Sequence, residues 1–271
     1  MVKYAAAIAA ILIVAVATVW VWNSVQTKTL PQKNIVSTKN GSKSKIELPD
    51  GTEVWLNVGS RVNYDENYGK EKRELTLTGE AYFDVAHNDK MPFILHTGKM
   101  DIKVLGTAFN VKAYPGDGFT EASLIRGSIE VTFPDRPQEK LILKPSDKIS
   151  ILNKEPDSAQ AAIKVLPAAH TDRPAIMVSS IQYTPVDSAI IETAWVNNNL
   201  IFRSKTFEEL SRDIERWFNV TIEVSDTAIL SKQFTGTFSN ESITDALDAL
   251  SLSYPFHYKL NRNTNTVNIT E

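Results

Sequence analysis

The chain has no cysteine in its 271 residues. Disulfides, thiolate nucleophiles, cysteine-ligated zinc and lipidated cysteine are therefore excluded. Charge of one sign is also lacking: the formal net charge is −3, with no basic excess to neutralise phosphates, so no nucleic-acid partner is expected. Histidine is scarce and scattered. His87, His96, His170 and His257 form no HExxH or clustered His–Asp pattern, so neither a metal nor another cofactor is expected. No GxSxG elbow or Walker A motif occurs. Gly41-Ser42-Lys43-Ser44 looks like the end of a phosphate loop but lacks the first glycine and follows no strand. With 42% hydrophobic and 23% charged residues, the composition is that of a folded chain of about two small domains.

Long apolar runs are absent with one exception. Tyr4 to Trp22 is uncharged and almost wholly apolar, and as a helix it would span roughly 28 Å, close to the bilayer's hydrocarbon thickness. Trp20 and Trp22 fall at its outer end, where indole favours the interface. Ala15-Val16-Ala17 has a cleavage-site pattern, but the apolar run continues past it, which favours an uncleaved transmembrane helix. Only Lys3 precedes the segment, while Lys28, Lys33 and Lys39 follow it, the wrong asymmetry for exporting the rest of the chain. Either the segment is a signal peptide or residues belong upstream of Met1.

The remainder divides by pattern. Residues 23–44 are polar and lysine-dotted, as expected of a linker. From 45 to 151 the pattern is β: alternation in Leu75-Leu77, Ala81-Phe83-Val85, Phe109-Val111, Ile129-Val131-Phe133 and Leu141-Leu143, broken by Gly and Pro turns. A sandwich, a barrel and an irregular β-solenoid all fit. Residues 152–194 read as a connector with room for one strand. Residues 195–271 carry an internal repeat. Thr206 and Ser242, 36 residues apart, each open a helix with an acidic residue three positions on. The same offset relates the strand ending at Phe202 to Phe238, and Val220, Ile222 and Val224 to Phe256, Tyr258 and Leu260. This predicts a duplicated β-α-β unit, both helices on one face of a small sheet, with an added strand at Thr266–Ile269. The fold class expected is mainly β with an α+β C-terminal domain.

Catalysis has little support. Glu80 and Asp84, on one face of a strand, would lie about 13 Å apart, too far for glycosidase carboxylates. Trp55, Tyr82, Phe83 and Phe109 would make a ligand platform, but alternation favours a core role. No enzyme is expected; a β-rich glycan hydrolase is the minor alternative.

The β region resembles the FecR family of transmembrane anti-sigma regulators. The matching stretches are Leu48-Pro49-Asp50-Gly51-Thr52-Glu53-Val54-Trp55-Leu56-Asn57, Leu77-Thr78-Gly79-Glu80-Ala81-Tyr82-Phe83-Asp84-Val85, Pro92-Phe93 and Val104-Leu105-Gly106-Thr107-Ala108-Phe109-Asn110-Val111. Within them Asp50, Gly51, Trp55, Gly79, Glu80, Tyr82, Phe83, Gly106, Thr107, Phe109 and Asn110 are expected to be mainly structural. The C-terminal region is similar to the STN-like domain that closes family members of Bacteroidetes type, whose Trp-x-x-Gly appears here as Trp195-Val196-Asn197-Asn198. The resemblance implies an inner-membrane, single-pass protein with its C-terminal region in the periplasm. It would relay a signal from the N-terminal domain of a TonB-dependent outer-membrane transporter to an extracytoplasmic-function sigma factor, with a regulatory protease, in iron or glycan uptake. The sigma-binding segment is expected to be missing from this chain. Partner docking is expected at an open edge formed by Thr266, Val267, Asn268 and Ile269, with Phe202 and Phe238 nearby. A periplasmic scaffold or ligand-binding module without regulatory output is the alternative.

Overall fold

The computed structural model describes residues 12–20, 22, 33–153, 175–185 and 188–270. Residues 12–20 and 22 are helical, and among the described residues no helix is long and apolar enough to cross a membrane. Residues 4–11 and 21 of the expected span lie outside the described residues. Residues 1–33 and 34–271 form separate units, and the second holds the folded modules.

The β module runs β1 (Lys33–Ser37), β2 (Ser44–Glu47), β3 (Glu53–Leu56), β4 (Arg61–Asp65), β5 (Arg73–Asp84), β6 (Phe93–His96), β7 (Asp101–Val104), β8 (Ala108–Ala113), β9 (Phe119–Arg126), β10 (Ile129–Phe133), β11 (Arg136–Leu143), β12 (Asp147–Leu152) and β13 (Ile176–Ser180). These strands form one 13-stranded sheet that turns on β5. The first part of β5 pairs with β4 and, in parallel, with β6; the second part pairs with β3 and β8. The changeover falls at Gly79, with φ of 100°, where an added Cβ would meet Ser60 Cα at 2.7 Å. Only glycine fits that backbone and that contact. The two halves close on one core. Leu75, Leu77, Leu95, Ile102 and Val131 come from one half, and Val54, Leu56, Phe83, Phe109, Leu124 and Ile149 from the other. The Phe83 and Phe109 rings stack at 5.2 Å, and Phe93 meets Phe83 edge-on at 5.8 Å.

Two expectations are corrected. A solenoid would need parallel ladders throughout, whereas β5–β6 is parallel and the ladders β2–β3, β3–β5, β4–β5, β5–β8, β6–β7, β7–β10, β8–β9, β9–β12, β10–β11 and β12–β13 are antiparallel. The stretch expected to be linker contains β1, which pairs with β4. One strand was expected in the connector, and β13 is there, paired with β12.

The family-motif residues have visible structural work. Asp50 carboxylate oxygens accept from Thr52 N–H at 3.1 Å, Thr52 Oγ1 at 2.8 Å and Tyr68 OH at 3.2 Å. Arg73, 1% exposed, pairs with Asp50 at 3.2 Å and donates to the carbonyls of Met91, Ala86 and Asn88. Thr107 donates to the Ser128 carbonyl, and Gly106 packs so tightly on His87 that a Cβ would lie 2.8 Å from its Cα.

The C-terminal module holds β14 (Leu200–Thr206), α1 (Phe207–Phe218), β15 (Thr221–Val224), β16 (Gln233–Phe238), α2 (Ile243–Ser253), β17 (His257–Asn261) and β18 (Thr266–Thr270). Both helices start on the capping box read from sequence. Glu209 N–H donates to Thr206 Oγ1 at 3.3 Å and Asp245 N–H to Ser242 Oγ at 3.2 Å, with each acidic side chain accepting from the cap's N–H. Such a cap is worth about 1 kcal/mol. The repeat is real, and its equivalent Phe202 and Phe238 rings meet at 5.1 Å. The single sheet is corrected: β14 pairs with β16 as one ribbon, while β15, β18 and β17 form a separate three-stranded sheet.

Candidate functional site at the joint between the modules

On β5, the odd-numbered side chains enter the β core, so Glu80, Tyr82 and Asp84 face outward. Asn110 and Lys112 face the same way on β8, opposite Tyr82 and Glu80 in register. An outward carboxylate on a strand is normally solvated, yet Glu80 is only 9% exposed. The cause is a cover supplied by the chain itself: a 3-10 turn over Ile191–Asn197, carrying Trp195, and helix α1.

Trp195 is 5% exposed and donates its indole N–H to Asn110 Oδ1 at 3.1 Å. Asn110 Nδ2 donates to Glu80 Oε1 at 2.9 Å, and Asn57 Nδ2 donates to Glu80 Oε2 at 2.8 Å. The turn ends on Asn198 with φ of 61°, the left-handed cap conformation that glycine and asparagine adopt most readily.

Beside it lies a buried ionic network. Lys112 Nζ donates to Asp213 Oδ1 at 2.9 Å and lies 3.3 Å from Asp117. Arg216 grips Asp117 with both terminal nitrogens, at 2.8 and 3.1 Å, and donates to Asp213 at 2.7 Å. Lys205 closes on the other Asp213 oxygen. Lys112 and Asp117 belong to the β module, and Lys205, Asp213 and Arg216 to the C-terminal module. The Arg216 guanidinium lies 4.0 Å over the Tyr114 ring. Around this edge Gly41 N–H donates to the Arg216 carbonyl at 2.8 Å. Lys43 Nζ donates to Trp195 O at 3.1 Å and Asn198 Oδ1 at 3.0 Å, and sits 3.6 Å over the Trp217 ring. A cleft of about 280 Å³ runs along the joint, lined by the Glu80–Asn110–Trp195 chain and the ionic network together with Glu121, Ser123 and Lys148.

Titration follows the burial. Desolvation lowers Lys43 to about 8, against the nearby charge of Glu80. Asp213 is opposed by its burial, but Lys112, Lys205 and Arg216 outweigh that and hold it well below the ordinary carboxylate value. Glu80 goes the other way: burial raises it above the usual 4.5, beyond what Lys112, Asn110 and Asn57 recover. A raised carboxyl stabilises the fold below its unfolded value and loses that contribution as pH climbs through the folded value. The chain should therefore lose stability as pH rises upward from 4.5 through Glu80's raised range. In Glu80→Gln that segment should be missing. Melting temperatures of the two chains across pH check this, and parallel profiles would contradict it.

Several predicted positions are relocated. Phe83 and Phe109 are core, but Trp55 and Tyr82 lie half-exposed on the outer face, edge-on at 5.3 Å. Asp84 does not join Glu80; it pairs with Arg126 at 2.7 Å. The open edge at Thr266–Ile269 is corrected. β18 is the central strand, parallel to β15 on one side and antiparallel to β17 on the other, so its backbone is fully engaged. Val267, Ile269, Phe202 and Phe238 are buried in the module's core. Lys112, Asp117, Asp213 and Arg216 were not singled out from sequence. The nearest signal was Lys112, on the outward side of a recognisable motif strand.

Comparison with known proteins agrees with this division. A model described as FecR protein matches residues 34–130, and one described as FecR, C-terminal matches residues 199–269. Two crystal structures of a Parabacteroides distasonis protein, provisionally described as an anti-sigma factor, superpose with a TM-score of 0.71 at 26% identity. They cover 88% and 89% of this chain and 99% of their own. A search of curated proteins finds no match. With one family model on the β module and its C-terminal counterpart on the α+β module, in that order, the chain belongs to the FecR family.

Proposed function

We propose that the chain is the sensing part of a membrane-anchored anti-sigma regulator. The observation that carries this is the ordered match of both family models to the two modules, joined by likeness over nearly the whole of a protein described as an anti-sigma factor. Residues 4–22 anchor the chain in the inner membrane. Exposed Leu12, Ile13, Val16, Val19, Trp20 and Trp22 support this, because an apolar helix surface of that kind is at home in lipid. The two modules stand in the periplasm. They take a signal from the N-terminal domain of a TonB-dependent transporter and pass it to an extracytoplasmic-function sigma factor bound on the cytoplasmic side, with proteolysis completing release. The joint between the modules is where docking on one is felt by the other. It also brings Trp195, outside the strand motifs, into contact with the motif residue Asn110.

The test is direct binding. Purified residues 33–271, titrated with the N-terminal domain of a TonB-dependent transporter from the same organism, should bind with the micromolar affinity of a transient signalling contact. Disrupting the gene should also change transcription of a sigma-factor-dependent set. Absence of binding to every such domain of that organism, with unchanged transcription, would leave a periplasmic scaffold.

A further inference from the structure

The apolar residues of the two modules fall into two separate cores. One is built on Phe83, Phe93 and Phe109, the other on Phe207, Leu210, Ile214 and Phe256. Among the described residues, six buried hydrophobic ones belong to neither: Val58, Ala108, Tyr114, Ile181, Ala194 and Trp195. At the joint itself the two modules meet through charge and carboxamide groups, with Trp195, Tyr114 and Trp217 between them. A buried ion network fixes geometry strongly but contributes little net stability, because desolvation offsets much of the attraction. Interfaces between domains of this polar kind part readily, whereas a large hydrophobic one would not. Opening this joint exposes no core.

We propose that the joint is a reversible latch: the Trp195 turn and α1 lift from the outer face of β5, β8 and β9 while both modules stay folded. The lock is Lys112 and Asp117 against Asp213 and Arg216. What opening uncovers is a continuous polar and aromatic surface: Glu80, Asn110, Lys112, Ser123 and Tyr114. The charges are matched to the closed state. Lys112, Lys205 and Arg216 face Asp117 and Asp213, with Glu80 beneath completing neutrality when ionised. Each of these groups regains water on opening, so the closed and open states can lie close in free energy. Opening is a property of the chain alone and does not depend on any partner.

The absence of cysteine allows a clean test. Ser123 is 2% exposed, faces outward on β9 and lines the cleft, so Ser123→Cys places one thiol under the cover. Its modification by a maleimide is followed in the full chain across sub-denaturing urea, alongside circular dichroism. The latch predicts labelling with a shallow urea dependence, well below the slope of global unfolding, because little surface is exposed. Adding Asp213→Ala should speed labelling about 100-fold or more, the Boltzmann equivalent of breaking a buried pair. Labelling that follows global unfolding with the full slope overturns the latch. So does labelling unchanged by Asp213→Ala in a chain whose circular dichroism shows it folded. Because the parent chain already discriminates by slope, the test survives a variant that does not fold.

Discussion

Replacing Asp213 with alanine should part the two modules without unfolding either. Asp213 is the hub: Lys112, Lys205 and Arg216 all close on its two oxygens, and it is buried. Arg216 and Lys112 keep Asp117, but the cluster is then left with excess positive charge in a site largely shielded from water. Removing one member of such a network costs about 3–5 kcal/mol, most of it the penalty of orphaned charge. The part of that loss carried by Lys112 falls on the joint, while Lys205 and Arg216 are partners within Asp213's own module. The expected signs are a larger hydrodynamic radius, easier quenching of tryptophan fluorescence, and little change in far-ultraviolet circular dichroism. A rescue is available. A Cβ built on Gly41 would lie 3.4 Å from Asn219 Cβ, close to the roughly 3.5–4.5 Å typical of a disulfide. Gly41 and Asn219 have φ of 72° and 55°, so the bridge carries about 1–2 kcal/mol of strain per substituted glycine-like site. Gly41→Cys with Asn219→Cys should restore the compact state of the Asp213→Ala chain when oxidised and lose it on reduction. Failure of the oxidised bridge to restore compactness would place the damage outside the joint.

Arg73→Met should do the opposite: unfold the β module and leave the joint as bystander. Arg73 is also a buried cation, but its partners are Asp50 and the carbonyls of Met91, Ala86 and Asn88, all within one module. Methionine fills much of the space and satisfies none of these groups. The unpaired carbonyls and the loss of Asp50's cation, which leaves it only its Thr52 and Tyr68 donors, together cost about 3–5 kcal/mol. Against a total stability of about 5–15 kcal/mol for a typical domain this is severe, roughly a 10–20 °C fall in melting temperature. Melting of the β module at its wild-type temperature would contradict the role assigned to Arg73. The pair of variants contrasts two buried networks of similar chemistry, one holding a domain and the other holding two domains together.

Much of the fold was legible because it follows local rules. Thr206 and Ser242 cap helices with side chains that their own neighbours reciprocate, so the signal is contained within a few residues. The 36-residue repeat survived because Phe202 and Phe238 occupy equivalent places in one core. The motif stretches around Asp50, Gly79 and Gly106 pointed to backbone constraints that the structure spells out. Pairing across long separations was not legible. Nothing local distinguishes β18 as a central strand from β18 as an edge; its partner β15 arrives from beyond both α2 and β16. The joint was hidden for the same reason. Lys112 and Asp213 are 101 positions apart, and Trp195 and Asn110 are 85 apart. Each alone reads as an exposed charge or a core aromatic. Trp55 and Tyr82 show the reverse error: alternation correctly placed Phe83 inward and, by the same period of two, should have placed Tyr82 outward.

Two separately cored modules joined by buried charge underlie all of these expectations. Native-state hydrogen exchange, followed residue by residue over increasing urea, tests that arrangement most directly. Two families of amides are predicted, β5, β8 and β9 on one isotherm and α1, α2 and β18 on another, each with its own free energy. Convergence of all of them onto one isotherm with the free energy and slope of global unfolding would contradict it.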